Sequence, residues 1–360
     1  MNARDIGFLL DLLSTPSPTG FEAAGQRKWV RRMRAHADAV ESDTYGNAWA
    51  TLRGHAARGP RVMVEAHADE IGFIIKHITK EGFLHIDRIG GSDAATGRGR
   101  RVEFLGDKGV VPGIIGNTAI HLRRDRLGEE KAPKIHELYV DVGASSAAEV
   151  AKLGLRVGHP AVYAERPSRL GKDLLCGRAI DNRVGGFILA QLMARLARRK
   201  KRPAATVIAV NAVQEEIGGN GAVMAAHRLF PDLAIVLDVT HATDTPGISA
   251  AIHGEVGLGK GPSITHGTCN HPAVVARLLE TARKSRIPIQ HESSSRYSGT
   301  DTDKIFLVRE GIASALVSLP LRYMHSVVET VHLADIERVI DLLEAFLVDL
   351  QAGERFSVKL

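Results

Sequence analysis

Between positions 333 and 350 the apolar residues Leu333, Ile336, Val339, Ile340, Leu343, Phe346, Leu347 and Leu350 fall on one face of a 3.6-residue repeat. That spacing predicts a long amphipathic helix over 331–350. Helical spacing also covers 4–13 and 20–36. The second stretch is entered through Ser14-Thr15-Pro16-Ser17-Pro18-Thr19-Gly20, where Thr19 is placed to act as a cap. Two more helices are predicted at 185–199 and 271–284. Among them stand short apolar runs at 61–65, 206–213, 233–237 and 313–319, the pattern of strands buried on both faces. Strands alternating with helices predict an α/β layer fold with a largely parallel sheet.

From about Gly72 to Gly158 the rhythm changes. Glycines become frequent, and short apolar runs at 73–75, 83–86, 101–104 and 113–116 are separated by turns. Short strands with frequent turns predict a small β-barrel or sandwich. Because α/β sequence stands on both sides, the barrel is expected to be an insertion. The predicted division is an α/β domain over 1–70 and 160–360, interrupted by a barrel over 71–159.

Composition narrows the classes. With 44% hydrophobic residues in 360, a substantial core can form. No apolar stretch approaches the roughly 18 residues of a spanning helix. Phe8-Leu9-Leu10 is broken by Asp11 and has no basic leader, so the chain is expected to stay in the cytoplasm, with no membrane partner. Cys176 and Cys269 stand far apart, which offers neither a disulfide framework nor a thiolate metal site. The net charge of +6 is spread over clusters at 31–34, 98–101, 123–124 and 198–202. Acids stand near each cluster and aromatics are 5% of the chain, so these read as solvated faces and no nucleic-acid partner is expected. The 16 histidines are a different matter, since imidazole is the commonest metal ligand.

The chemistry-bearing residues stand at strand ends. The run 61–65 leads into Ala66-His67-Ala68-Asp69-Glu70, and 206–213 into Gln214-Glu215-Glu216-Ile217-Gly218. The run 233–237 meets Asp238, and 313–319 leads to His325. Asp181 precedes the helix predicted from 185. Ligands of open α/β sheets bind beyond the carboxyl ends of the strands, so these residues converge on one edge. Histidine and carboxylate without thiolate is the donor set of zinc, cobalt or manganese. Two such ions about 3.5–4 Å apart need a shared carboxylate and terminal ligands for each, which this inventory can supply. Adjacent Glu215 and Glu216, on an extended backbone, point apart, so one can bind metal while the other takes a proton. His67 and Asp69 can share a face, with the aspartate orienting the imidazole.

The segments Ala66-His67-Ala68-Asp69-Glu70-Ile71-Gly72, Ala179-Ile180-Asp181-Asn182-Arg183, Gln214-Glu215-Glu216-Ile217-Gly218, Leu237-Asp238-Val239-Thr240-His241, Gly299-Thr300-Asp301 and Arg322-Tyr323-Met324-His325-Ser326 resemble, in order, the signatures of metallopeptidase family 42, the tetrahedral aminopeptidases of clan MH. Asp141 to Ser146 fits as well, so the resemblance spans nearly the whole chain. It implies a zinc-peptidase-like α/β/α catalytic domain with an inserted PDZ-like β-barrel, assembled through dimers into a tetrahedral dodecamer that takes short peptides with a free N-terminus. It implies two divalent ions, zinc or cobalt: His67, Asp181 and Asp238 on one, Asp181, Glu216 and His325 on the other. Glu215 would be the general base, Asp69 would orient His67, and Gly299, Thr300 and Asp301 would line the substrate site. The implied reaction is attack of a metal-held hydroxide on the first peptide bond.

Three departures from the family pattern stand out. Ser326-Val327-Val328-Glu329 replaces Ser-Pro-Val-Glu, Gly90-Gly91-Ser92-Asp93 lacks a bulky residue before its aspartate, and Asp301-Thr302-Asp303 replaces a small residue after Asp301. Other chemistries compete: a deacylase or carboxypeptidase using the same ions, a glycoside hydrolase of the endoglucanase kind, or a non-catalytic scaffold. Two tryptophans are few for a cellulose cleft, and a scaffold need not keep Glu215 and every ligand.

Overall fold

The structure, a computed structural model, describes residues 2–122, 132–358 and 360. Its strands are β1 (Ala39–Ser42), β2 (Ala48–Leu52), β3 (Arg61–His67), β4 (Gly72–Ile78), β5 (Leu84–Ile89), β6 (Arg101–Gly106), β7 (Gly109–Ile115), β8 (Tyr139–Asp141), β9 (Pro160–Tyr163), β10 (Ser168–Leu170), β11 (Leu174–Gly177), β12 (Thr206–Ala212), β13 (Leu233–His241), β14 (Ser263–His266), β15 (Gln290–Ser293), β16 (Ala313–Arg322) and β17 (Glu329–His332). They form two bodies. An 11-stranded sheet runs β1-β2-β12-β3-β13-β16-β17-β11-β10, with β14 on β16 and β15 on β14, and β4-β5-β8-β7-β6-β9 close a barrel. This is the α/β domain with inserted barrel that the sequence predicts.

The sheet is parallel at its centre, where β12, β3, β13 and β16 lie side by side, and between β14 and β15. β1, β2, β17, β11 and β10 pair antiparallel, which corrects the expectation of a largely parallel sheet. The reason is local: a tight turn can join only antiparallel strands. Between β1 and β2, Asp43 makes such a turn, its Oδ1 accepting the N–H groups of Tyr45, Gly46 and Asn47 at 2.9–3.0 Å.

Period-two alternation divides the central strands. On one face Val62 and Val64 of β3, Val207 and Ala209 of β12, Ile235 and Leu237 of β13, and Val317 and Leu319 of β16 pack under the helices Ala3–Ser14, Ile180–Ala197 and Leu333–Asp349. The other face is apolar at first, with Met63, Ile208, Val236 and Leu316 beneath the helix Asn220–Leu229. Toward the carboxyl ends this second face turns polar: by alternation Glu65 and His67 follow Met63, Asp238 and Thr240 follow Val236, and Ser318 follows Leu316. An apolar layer on one side and a polar end on the other creates the site.

Several boundaries differ from the sequence expectation. The helix predicted from 185 spans Ile180–Ala197 with Asp181 and Asn182 in non-helical conformations at its start, and β13 runs through Asp238 to His241 where the apolar run ends at 237. The barrel reaches Tyr163, its last strand starting just past the expected edge at 159. Thr19 does not cap the second helix, Ala23–Met33. That helix has no side-chain cap, and the Thr19 hydroxyl donates to Asp69 Oδ2 at 2.8 Å. Barrel entry and exit are neighbours, since β4 pairs with β9 through Phe73 and Ala161, and Phe73 meets Tyr163 edge-on at 5.3 Å.

The basic clusters meet acids, as expected of solvated faces: Arg32 with Asp5, Arg100 with Glu165, Arg199 with Glu344 and Arg202 with Asp38. Arg123 and Arg124 lie outside the described residues. Cys176 and Cys269 are free thiols. Among the described residues no helix is long and apolar enough to cross a membrane.

Candidate metal centre

His67, Asp181, Glu216, Asp238 and His325 come together from four strand ends and one helix start. Their donor atoms form two groups, His67-Asp181-Asp238 and Asp181-Glu216-His325, each with all atoms within 4.8 Å of one another. His67 Nε2 is 3.2 Å from Asp181 Oδ1 and 3.7 Å from Asp238 Oδ1. His325 Nε2 is 3.4 Å from Asp181 Oδ2 and 3.3 Å from Glu216 Oε2. Asp181 thus gives one oxygen to each group. Glu215 stands outside both, its Oε2 4.0 Å from His67 Nε2.

Asp69 fixes two parts of this arrangement. Its backbone carbonyl lies 3.2 Å from His67 Nδ1, and because a carbonyl can only accept, Nδ1 carries a hydrogen and Nε2 is the nitrogen turned toward Asp181 and Asp238. Its carboxylate accepts the N–H groups of Glu215 at 3.0 Å and Glu216 at 3.2 Å besides the Thr19 hydroxyl. The same residue therefore orients the imidazole through its carbonyl and holds the Glu215-Glu216 turn through its carboxylate.

Glu329, which the sequence offered only as the end of a departing motif, ties the two halves of the centre. Its Oε2 accepts the N–H of Asp181 at 3.1 Å and its Oε1 the N–H of His325 at 3.0 Å. Asn182 adds a second clamp, donating to the Leu237 carbonyl at 2.7 Å while accepting from Gly185 N–H. Ala179, Gln214, Tyr323 and His325 all have φ near +60°, unusual for residues other than glycine, and each belongs to or stands two positions from a member of these donor groups. Gly90 and Gly91, at the barrel's edge, pack on the centre. A Cβ at Gly91 would collide with the His325 ring, and one at Gly90 would lie 3.1 Å from Glu216 Cβ. The absent bulky residue in that segment thus belongs to a turn pressed against the ligands.

The electrostatics describe a site short of positive charge. Burial, with Asp301, Asp238 and Glu216 nearby, pushes the Glu215 carboxyl up to about 10 against the lowering pull of His67. Burial raises Glu216 to about 7 and Asp238 above its ordinary range. For His325 burial works downward, yet Asp181 and Glu216 carry it up to about 11, and His67 is likewise held well above its ordinary value. Asp181 lies below the usual carboxylate range: burial opposes ionisation, and the two histidines overcome it. Asp69 is also lowered, because His67 and the Glu215 N–H outweigh its burial. Buried carboxylates in excess of two imidazoles, with donor atoms converging, fit divalent cations.

A cleft of about 620 Å³ opens over these groups, with Gly299, Thr300, Asp303 and Lys304 on its wall. Asp301 is not on that wall. It is 1% exposed, turned inward beside Glu65. Among the described residues no hydrogen-bond donor reaches either carboxyl, and burial pushes both up, Glu65 to about 8. Asp303 holds the turn instead, accepting from Ser298 N–H at 3.0 Å and Gly299 N–H at 2.9 Å. Alternation along β3 was the signal that would have placed Glu65 beside His67.

Residues 46–342 match the model of the family described as M42 glutamyl aminopeptidase. The chain is 36% identical to a lysyl aminopeptidase of Pyrococcus furiosus, covering 94% of this chain and 96% of that one. Among solved structures it resembles an aminopeptidase of the archaeon Desulfurococcus kamchatkensis, at TM-score 0.90, 34% identity and 97% and 96% coverage. It also resembles the TET1 peptidase of Pyrococcus horikoshii, which assembles into a tetrahedron or a large octahedral shell, at TM-score 0.84, 29% identity and 96% and 100% coverage.

Proposed function

This chain belongs to the M42 glutamyl aminopeptidase family and is an aminopeptidase, and from that premise we propose that it is a dinuclear metal enzyme that removes N-terminal residues from short peptides. The observation that carries the reading is the pair of donor groups joined by Asp181. When bound, two divalent ions, zinc or cobalt, would supply Lewis acidity and a water of lowered pKa. His67, Asp181 and Asp238 would hold one ion, and Asp181, Glu216 and His325 the other. Glu215 would accept the proton of the attacking water and hand it to the leaving amine. Asp69 would keep His67 in its binding tautomer and Glu215 in place, while Gly299 and Thr300 line the peptide's path. Because a relative can assemble into a closed shell, we infer that this chain is a homo-oligomer, which we read as dimers built into a dodecamer in the cytoplasm.

The test is a panel of aminoacyl-p-nitroanilides and their N-blocked counterparts, with protein stripped by chelator and refilled with cobalt or zinc. Metal-restored release from free but not blocked termini is expected. Equal release from blocked substrates would turn the assignment toward a deacylase, and no release from metal-loaded protein would leave a scaffold.

Glu329 provides a further check. Glu329→Gln keeps the shape but replaces one accepting oxygen with an amide that cannot accept the N–H of Asp181 or His325. Cobalt affinity, read by titration of the stripped protein, should weaken about 10- to 100-fold, as for other groups that orient ligands. Unchanged affinity would make Glu329 a bystander.

A further inference from the structure

The cleft over the metal centre adjoins a larger cavity of about 1200 Å³, and Thr240, His241, Ser298 and Met324 line both. Glu292, on β15, is the sole carboxylate among that cavity's described lining residues. Hydroxyls converge on it. Thr240 donates to Oε2 at 2.7 Å, Ser318 to Oε1 at 3.2 Å, and Thr265 also to Oε1. Among the described residues no lysine, arginine or histidine forms an ion pair with it. A carboxylate offers about four acceptor positions, so these hydroxyls leave room for a further donor. The protein has oriented a half-buried anion toward a cavity and has supplied no cation for it.

The position of this anion relative to the proposed chemistry is fixed by β13. Asp238 and Thr240 are two apart on one strand, so their side chains leave the same face about 7 Å apart. Glu292 is bonded to Thr240, one step further from the metal ligands. A peptide whose free amino end lies at the metal centre can direct its first side chain along this row into the cavity. Leu316, Leu321 and Met324 offer apolar wall to an aliphatic stem, with the carboxylate beyond.

We infer that this cavity is the pocket for the N-terminal side chain and that Glu292 makes it select a basic one, lysine or arginine; the inference rests on the aminopeptidase reading. The names of the similar proteins do not decide this, because the family description says glutamyl and the relative from Pyrococcus furiosus is lysyl, opposite charges. The pocket's own chemistry does. An acidic side chain would meet Glu292 with its charge unrelieved, and a neutral one would cover the carboxylate without pairing it. The permanent cation on this lining, Arg296, is exposed and lies over the Tyr297 ring at 5.9 Å. His266 and His291, 3.0 Å apart, are also on the lining.

The experiment compares kcat/KM for lysyl- and norleucyl-p-nitroanilide, which share a four-carbon stem and differ in charge, on cobalt-loaded protein and on its Glu292→Gln variant. The wild-type ratio of lysyl to norleucyl should exceed about 10, and the variant should lower that ratio about 10- to 100-fold, the range of a charge-assisted contact. A wild-type ratio at or below one would overturn the inference without any variant, and so would a ratio that Glu292→Gln leaves unchanged. Release of other N-terminal residues with no lysyl preference defeats this inference alone. Failure to release any N-terminal residue from metal-loaded protein defeats the aminopeptidase reading and this one with it.

Discussion

Glu215→Gln should lower turnover by at least about 100-fold while metal content and particle size match those of the unaltered protein. The expectation follows from where Glu215 stands. It belongs to neither donor group, yet its carboxylate comes within 4.0 Å of His67 Nε2, and its backbone is held by Asp69 rather than by its own side chain. Glutamine preserves volume and removes the ability to take a proton. The loss should therefore appear in kcat with little change in KM, the signature of an interaction made only on the way to the transition state. Steady-state kinetics, metal content and light scattering on one preparation are sufficient. Unchanged kcat would remove Glu215 from the proton path, and lost metal would make it a ligand.

Asp181→Ala should have a still larger effect, more than about 10³-fold in turnover, because in the proposed dinuclear centre its position would serve both halves. Its two oxygens face different histidines, so the substitution takes a ligand from each group at once. Asp238→Ala, by contrast, touches only the group containing His67. Metal analysis separates the two: the Asp181 variant should retain less than one ion per chain, the Asp238 variant close to one. Equal retention in both would mean that Asp181 is not shared. The side chain also offsets the positive charge of His67 and His325, so the metal-free Asp181 variant should bind fewer protons on those rings, visible by NMR titration.

Much of this centre was legible in the chain because strand ends are legible. An apolar run that stops at a charged residue marks both a boundary and a direction, and His67, Glu215, Glu216, Asp238 and His325 were found that way. What alternation could have added was Glu65, two residues before His67 on the same face. Glu329 was out of reach for a different reason: its bond to Asp181 joins residues 148 apart, and no local pattern reports such a meeting. Gly299-Thr300-Asp301 was located as a turn, but which of its residues faces the cleft depends on the packing of Asp301 against Glu65. The antiparallel margins of the sheet were missed because a strand's composition reports its burial and leaves the direction of its neighbour open. The parallel centre was found because helices intervene there.

The place of the barrel in the chain bears on the order in which the molecule is made. On a ribosome His67 emerges before the barrel, Asp181, Glu216 and Asp238 after it, and His325 later still. The barrel closes on itself, β4 against β9, within one continuous stretch, and its core comes from that stretch except for Val327, so most of it can form while the rest is being synthesised. The hydrolytic centre has no such early form. β3 must wait for β12 and β13 to lie against it, and the last histidine arrives only when β16 has been added. A nascent chain therefore carries most of its barrel well before it carries any means of cutting peptides.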